Sequence, residues 1–263
     1  MKKTLSLILA AVMLLLTFSC FGCSNDKDDV AYVTKKGTLI VGITDFAPMD
    51  YQNEKGEWIG FDADYAKAFA ESLGVKVEFI EIEWGNKENE LNSKSIDCVW
   101  NGMTLTDGVK EAMETSKAYC LNAQVVVLSA DKADKYKSVD DIKDLKFAVE
   151  DGSAGQEVLE ELKITGITKL ETQSAALMEV AAGTSDACVI DLLMANAMVG
   201  EGTSYPNHTY TVKLNSEEYG VGFRKGSALA AKLNEFMKTY QDNGKLAKLA
   251  ETYKINSESV IAQ

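Results

Sequence analysis

Apolar residues recur along this chain at two alternating periods. Residues 39–44, 75–82 and 97–102 are short, β-branched apolar runs of the strand type. Between the first two, Phe61, Tyr65, Phe69 and Leu73 recur every four residues. That spacing stripes one face of a helix over 62–73, with Asp62 placed to cap its start and Gly74 to end it. These aromatics read as core packed against a sheet. Residues 124–130 give another apolar strand, followed by a loop rich in lysine and aspartate. A second alternating set then begins, with strands at 147–150, 168–171 and 187–190 and helices at 153–162, 174–182 and 192–199. Strands at 210–214 and 219–223 bring the chain back, and helices at 229–240 and 246–253 close it. Repeated βαβ alternation predicts an α/β fold with parallel-rich sheets. Two such sets of about 90 residues each predict two lobes.

The N-terminus changes the picture, because it sets the compartment. Lys2 and Lys3 precede an uncharged apolar run over 5–18, and the small residues Ser19 and Gly22 follow. A charged start, a short apolar stretch and a small-residue cleavage zone predict a secretory signal over 1–22. The run is shorter than the ~20 residues of a membrane-spanning helix. A cysteine just after such a run resembles a bacterial lipobox, so Cys23, preceded by Gly22 and followed by Ser24, Asn25 and Asp26, is the expected lipidation site. Cys20 is the alternative, as is ordinary cleavage that leaves two spare cysteines. Residues 23–37 are polar and without apolar periodicity, which predicts a tether between a lipid anchor and the folded body. The predicted location is the outer face of the cell membrane.

Charge and composition then exclude classes of function. The formal charge of −13 becomes −15 once Lys2 and Lys3 are removed with the leader. A body that acidic argues against nucleic acid, which demands basic patches. Beyond the leader only Cys98, Cys120 and Cys188 remain, an odd number that leaves at least one free thiol. Cys98 and Cys188 sit in apolar runs and read as buried small hydrophobes. His208 is the sole histidine, expected to face solvent, so neither a zinc site nor a Ser-His-Asp triad is expected. No GxxxxGK[ST], GxGxxG or GxSxG motif occurs, and no cofactor is expected.

The positive signal is a set of stretches in fixed order. LIVGITDF over 39–46 is followed by Ala47 and Pro48, then by Gly60-Phe61-Asp62 opening a helix. Next come SIDCVWNGMTLT over 95–106, Asp151-Gly152-Ser153-Ala154-Gly155, and SDACVID over 185–191. Each is weak alone, but the ordered set resembles the polar amino-acid branch of the type 3 ABC-transporter solute-binding proteins (bacterial extracellular solute-binding proteins, family 3). The resemblance spans residue 39 to about 255. It implies a two-lobed periplasmic-binding-protein-like (type II) fold with two hinge crossings, near 124–128 and 217–221. Lobe 1 would then be 38–125 plus 218–263, and lobe 2 would be 126–217. The implied function is capture of a small polar solute, an amino acid foremost, for a membrane-embedded ABC permease. Ligands in such sheets bind beyond the carboxyl ends of the strands, where these motifs lie.

The resemblance also implies roles. Phe46 and Trp84 match two aromatics that sandwich the ligand, although core packing is the competing reading for both. Asn101, Gly102 and Thr104 match a segment whose backbone and hydroxyl groups hold the ammonium and carboxylate. Ser153 and Ala154 match a helix start whose free N–H groups receive the carboxylate. Asp191 matches the acid that pairs with the α-ammonium, with helix capping as its competing role. The family pattern Thr-x-x-Arg fails here, because Val109 stands where an arginine fork would grip the carboxylate. Lys110 is adjacent but on another helical azimuth. Glu150 occupies a place where glutamine-type relatives carry lysine. With Asp45, Glu150 and Asp191 near the cleft and no obvious cation, the expected pocket is unusually acidic. It therefore takes either a carboxylate held by amides alone or a ligand more cationic than a simple amino acid. The competing classes are a cyclohexadienyl-dehydratase-like enzyme on the same scaffold, an importer component for a non-amino-acid cation, and a sensory module. The last normally adds an output domain.

Overall fold

The computed structural model describes residues 29–263. The expected leader, Cys20 and Cys23 lie outside the described residues. The first described element, α1 (Asp29–Lys36), falls in the segment expected to be a tether, and it is a docked helix instead. Val33 is fully buried against the body, and Asp29 and Lys36 meet charges far away in sequence: Arg224 Nε lies 3.3 Å from Asp29 and Lys36 Nζ 2.6 Å from Asp97. Gly37 ends the helix at φ +77°, a left-handed conformation that suits glycine, with its N–H donating to the Val33 carbonyl at 2.9 Å. Those anchors are tertiary, so local periodicity could not reveal them.

The chain continues through β1 (Thr38–Ile43), the small hairpin β2 (Tyr51–Gln52) and β3 (Trp58–Ile59), α2 (Phe61–Ser72), β4 (Lys76–Glu81), α3 (Lys87–Asn92), β5 (Cys98–Thr104), α4 (Asp107–Ala112), β6 (Glu114–Thr115) and β7 (Cys120–Asn122). After one residue, β8 (Gln124–Ser129) opens the second sheet. There follow β9 (Phe147–Glu150), α5 (Ala154–Glu161), β10 (Ile167–Leu170), α6 (Gln173–Ala182), β11 (Ala187–Asp191), α7 (Leu192–Met198) and β12 (His208–Lys213). Finally β13 (Glu217–Phe223) returns to the first sheet, and α8 (Leu229–Asp242) and α9 (Lys245–Thr252) close the chain.

The first sheet has the order β4-β1-β5-β13-β6, with β7 also pairing β13, and the second β10-β9-β11-β8-β12. In each sheet three strands run parallel and the returning strands antiparallel. The chain passes between sheets at Ala123 and again over 214–216. The crossings, expected near 124–128 and 217–221, are the short links immediately before β8 and β13, and each of those strands lies wholly within one sheet. The terminal helices return to the first lobe, where Phe236 and Tyr240 meet the Tyr65 ring at 5.8 and 5.1 Å between centroids. Phe69 joins the same cluster at 5.4 Å from Phe236, so the four-residue aromatic stripe is core.

Two local readings change. Gly60, not Asp62, occupies the N-cap of α2, because at φ +132° any Cβ there would lie 2.0 Å from the Met49 carbonyl oxygen. The Asp62 carboxylate points inward instead. His208 is half-buried on β12, edge-on to Tyr205, rather than facing solvent. Cys98, Cys120 and Cys188 are all buried free thiols.

Candidate ligand-binding site

A cavity of about 200 Å³ lies between the lobes, at the carboxyl ends of β1, β5, β9 and β11. Its walls come from both lobes, so the cleft is closed. Of the expected site residues, Phe46, Trp84, Asn101, Gly102, Thr104, Val109, Glu150, Ser153, Ala154 and Asp191 all line it. Asp45 does not. Its carboxylate is turned to the second lobe, accepting from Ser174 Oγ at 3.1 Å, and so helps hold the lobes together outside the cavity.

One acid of the cavity is Asp191, at the end of β11 and 3 % exposed. It occupies the N-cap position of α7, yet its side chain makes no capping bond. Three amides take it up instead: Asn122 Nδ2 at 2.8 Å, Gln173 Nε2 at 2.7 Å, and Gln124 Nε2. Asn122 and Gln124 also donate to Glu217 Oε1, at 2.6 and 2.8 Å. Two carboxylates are thus bridged by two side-chain amides from either side of a crossing, with Thr104 Oγ1 adding a 3.0 Å bond to Glu217. Burial and the facing Glu217 push the Asp191 carboxyl well above the usual range.

Glu150, the last residue of β9, is the second acid of the cavity, and its Oε1 has no partner among the described residues. Burial raises it to about 8, opposed first by the Lys87 ammonium and then by hydrogen bonds from Thr44 and Gln173. An unpaired buried acceptor is a demand for a donor.

The first-lobe wall is held from behind by polar groups. The Asn101 side chain is committed to structure, accepting from Thr44 N and Oγ1 at 2.9 and 2.7 Å and donating to Asp50 at 2.7 Å. Gly102 N donates to Asp62 Oδ2 at 2.6 Å, and Tyr119 OH does the same at 2.6 Å. Gly102 carries φ +54°, and a Cβ there would stand 2.4 Å from the Phe46 ring, so this glycine lets the ring lie against the strand. Phe46 in turn packs edge-on to Tyr219 at 6.4 Å.

At the first-lobe rim of the cleft, Trp84 opens a single 3₁₀ turn and is 7 % exposed. Gly85 and Gly152 meet there, one from each lobe, at a spacing that admits no side chain on Gly152: a Cβ there would lie 2.6 Å from the Gly85 Cα. Ser153 caps α5, its Oγ accepting from Gln156 N at 3.2 Å, and Ala154 begins the helix at the cavity wall. Val109 is 8 % exposed in the first turn of α4, whose Thr106 cap accepts from Val109 N at 3.3 Å. Lys110 does not line this cavity.

The cleft is not without a cation, as had been expected. Lys87 lines it, 8 % exposed, with its ammonium 4.8 Å from the centre of the Trp84 ring. Sequence reasoning missed Lys87, Gln124, Gln173, Asn122 and Glu217. The first had a signal, since Lys87 sits three residues after Trp84, one helical turn on, and so faces the same way. Asn122, Gln124 and Glu217 flank the crossings and Gln173 opens α6; none of the four had a local signal.

Two α/β lobes, two short crossings and a closed polar cavity between them define a solute-binding protein of the two-lobed class. Residues 39–256 match the bacterial extracellular solute-binding proteins, family 3, and the chain belongs to that family. The arginine-binding extracellular protein ArtP of Bacillus subtilis (strain 168) is 29 % identical over 259 residues, covering 96 % of this chain and 98 % of its own. Among solved structures, the P235GK mutant of ArgBP from T. maritima superimposes with a TM-score of 0.80 at 27 % identity, covering 86 % of this chain and 99 % of its own. The ancestral amino acid-binding protein AncCDT-1, a precursor of cyclohexadienyl dehydratase, gives 0.78 at 31 % identity, over 86 % of this chain and 99 % of its own.

Proposed function

We propose that this protein is the extracellular binding component of an ABC importer, lipid-anchored through Cys23, and that its ligand is an amino acid with a cationic side chain. The observation that carries the ligand class is Glu150, a buried cavity-lining acid whose Oε1 has no partner among the described residues, in addition to Asp191. Asp191 suits the α-ammonium and Glu150 the side-chain cation, so a ligand with positive charge at both ends satisfies both acids. ArtP, an arginine-binding relative, supports the same class. An enzyme on this scaffold is not favoured: the relative ArtP is named a binding protein, and AncCDT-1 is itself named an amino acid-binding protein.

Calorimetric titration with arginine, lysine and citrulline tests the assignment. Citrulline is the neutral isostere of the arginine side chain, and losing the charge at Glu150 should weaken binding by roughly 10-fold or more. Citrulline bound as tightly as arginine would sink the cationic reading. A Glu150→Gln variant should erase the difference.

A further inference from the structure

Among the described residues, Lys87 is the only basic side chain lining the cavity, beside four carboxyls of Glu88, Glu150, Glu157 and Asp191. A cation this buried is normally compensated by an anion in contact. Here the ammonium donates to two neutral carbonyls, Trp84 O at 3.2 Å and Gly152 O at 3.0 Å, and among the described residues it makes no ion pair. One carbonyl belongs to each lobe, so both lobes fix its position when the cleft is closed. An ammonium has three N–H groups, and two are used, which leaves one. Its surroundings favour an anion for a second reason. Gly152 is followed directly by Ser153 and Ala154, so the ammonium stands beside the first turn of α5, where backbone N–H groups converge.

From this geometry we infer that Lys87 is the anchor for the ligand's carboxylate, acting with the start of α5. The inference rests on the amino-acid reading above. It explains how the carboxylate is held while Val109 offers only an alkyl group. It also makes the anchor conditional on closure, since Gly152 O is within reach only when the lobes meet. Burial lowers the Lys87 ammonium from its ordinary value, with Glu150 the main charge opposing that shift. A carboxylate in contact would restore the charged form. A purely structural lysine, serving as a remote counter-ion to Glu150, would instead influence the side-chain end of the ligand and leave its carboxylate unread.

The test is a titration of arginine and agmatine, its decarboxylated analogue, against the wild type, Lys87→Met and Lys87→Arg. Methionine keeps the stem over the Trp84 ring and removes the charge. Wild type should bind arginine at least ~10-fold more tightly than agmatine, since a hydrogen bond to a charged group is worth about that factor or more. Lys87→Met should lose ~10–100-fold for arginine and hold agmatine within ~3-fold, bringing the ratio near one. Lys87→Arg should retain a preference for arginine. A ratio unchanged in Lys87→Met overturns the role of Lys87 alone. A wild-type ratio near one overturns it without any variant. Wild type that binds neither arginine nor lysine defeats the functional reading, and this inference falls with it.

Discussion

Asp191 is held by three side-chain amides and still faces the cavity, which is the arrangement of an acid made ready for a cation. The amides satisfy one or two lone pairs on each oxygen, but they do not neutralise the charge. Removing this partner from a desolvated site should weaken binding of the cationic ligand at least ~30-fold in Asp191→Ala. Isothermal titration at near-wild-type affinity would reduce Asp191 to an organiser of the crossings. Its capping role is already absent, since the carboxylate makes no bond to the first turn of α7. At this scale the sequence was informative where a motif marks a strand end. Phe46, Gly102, Glu150, Ser153 and Asp191 all sit at the carboxyl end of a strand or just after it, and all line the cavity. Asp45, one residue before Phe46, points away because successive residues of an extended chain face opposite sides. Glu217 and Gln124 were not legible. They are brought together by the crossing of two chains some ninety residues apart, and nothing in the local pattern of either stretch records the other.

Among the elements, the contact between the turn after β4 and the turn before α5 decides whether the cleft closes. Gly85 and Gly152 approach so closely that a methyl group on Gly152 would overlap the Gly85 Cα at 2.6 Å, and Gly152 also holds φ +72°. A methyl group on Gly85 would meet only atoms of Asp151, the nearest being Oδ2 at 3.4 Å, an ordinary contact. The two glycines are therefore not equivalent. Gly152→Ala should weaken ligand binding by at least ~10-fold, because a ligand held by both lobes loses one of them. Gly85→Ala should stay within ~3-fold under the same conditions. Small-angle scattering supplies the structural readout: saturating ligand should contract the wild type and Gly85→Ala but not Gly152→Ala. Equal behaviour of the two variants would remove this contact as the determinant of closure. The alternation of strands and helices was legible because periods of two and near four differ sharply. The hairpin of β2 and β3, the short β6 and β7, and the docking of α1 were not. Each is only two to eight residues long, and all but the hairpin are fixed by partners distant in sequence, as Asp29 is by Arg224.

Across the whole molecule, four buried carboxyls share one direction of titration, and together they set how stability depends on pH. Burial raises Asp62 to about 7 and Glu150 to about 8, and it pushes Asp50 and Asp191 well above their ordinary values. Asp50 is raised further by the charge of Asp62, with Lys67 and the Asn101 amide opposing and Asp64 adding to the rise. Between the unfolded values near 4 and these folded values, the native state holds more protons than the unfolded chain. Stability therefore falls as pH rises through this window, the reverse of an acid held by a salt bridge. The exposed Asp131, Asp134 and Asp141 are shifted downward, so they act only at the acid edge. The ligand-free protein should consequently melt at a higher temperature at pH 5 than at pH 8. A cationic ligand acts in the opposite sense, because it favours ionised Glu150 and Asp191 and releases their protons on binding. Its stabilising shift in Tm should be larger at pH 8 than at pH 5. Asp62→Asn, which retains an acceptor for Gly102 N, should make the ligand-free profile less steep up to about pH 7 while leaving the ligand's own pH dependence in place. Scanning calorimetry from pH 5 to 8, with and without arginine, reads both effects. A ligand-free Tm that rises with pH would show that these carboxyls are ionised in the native state, with their charge met by groups other than the ligand.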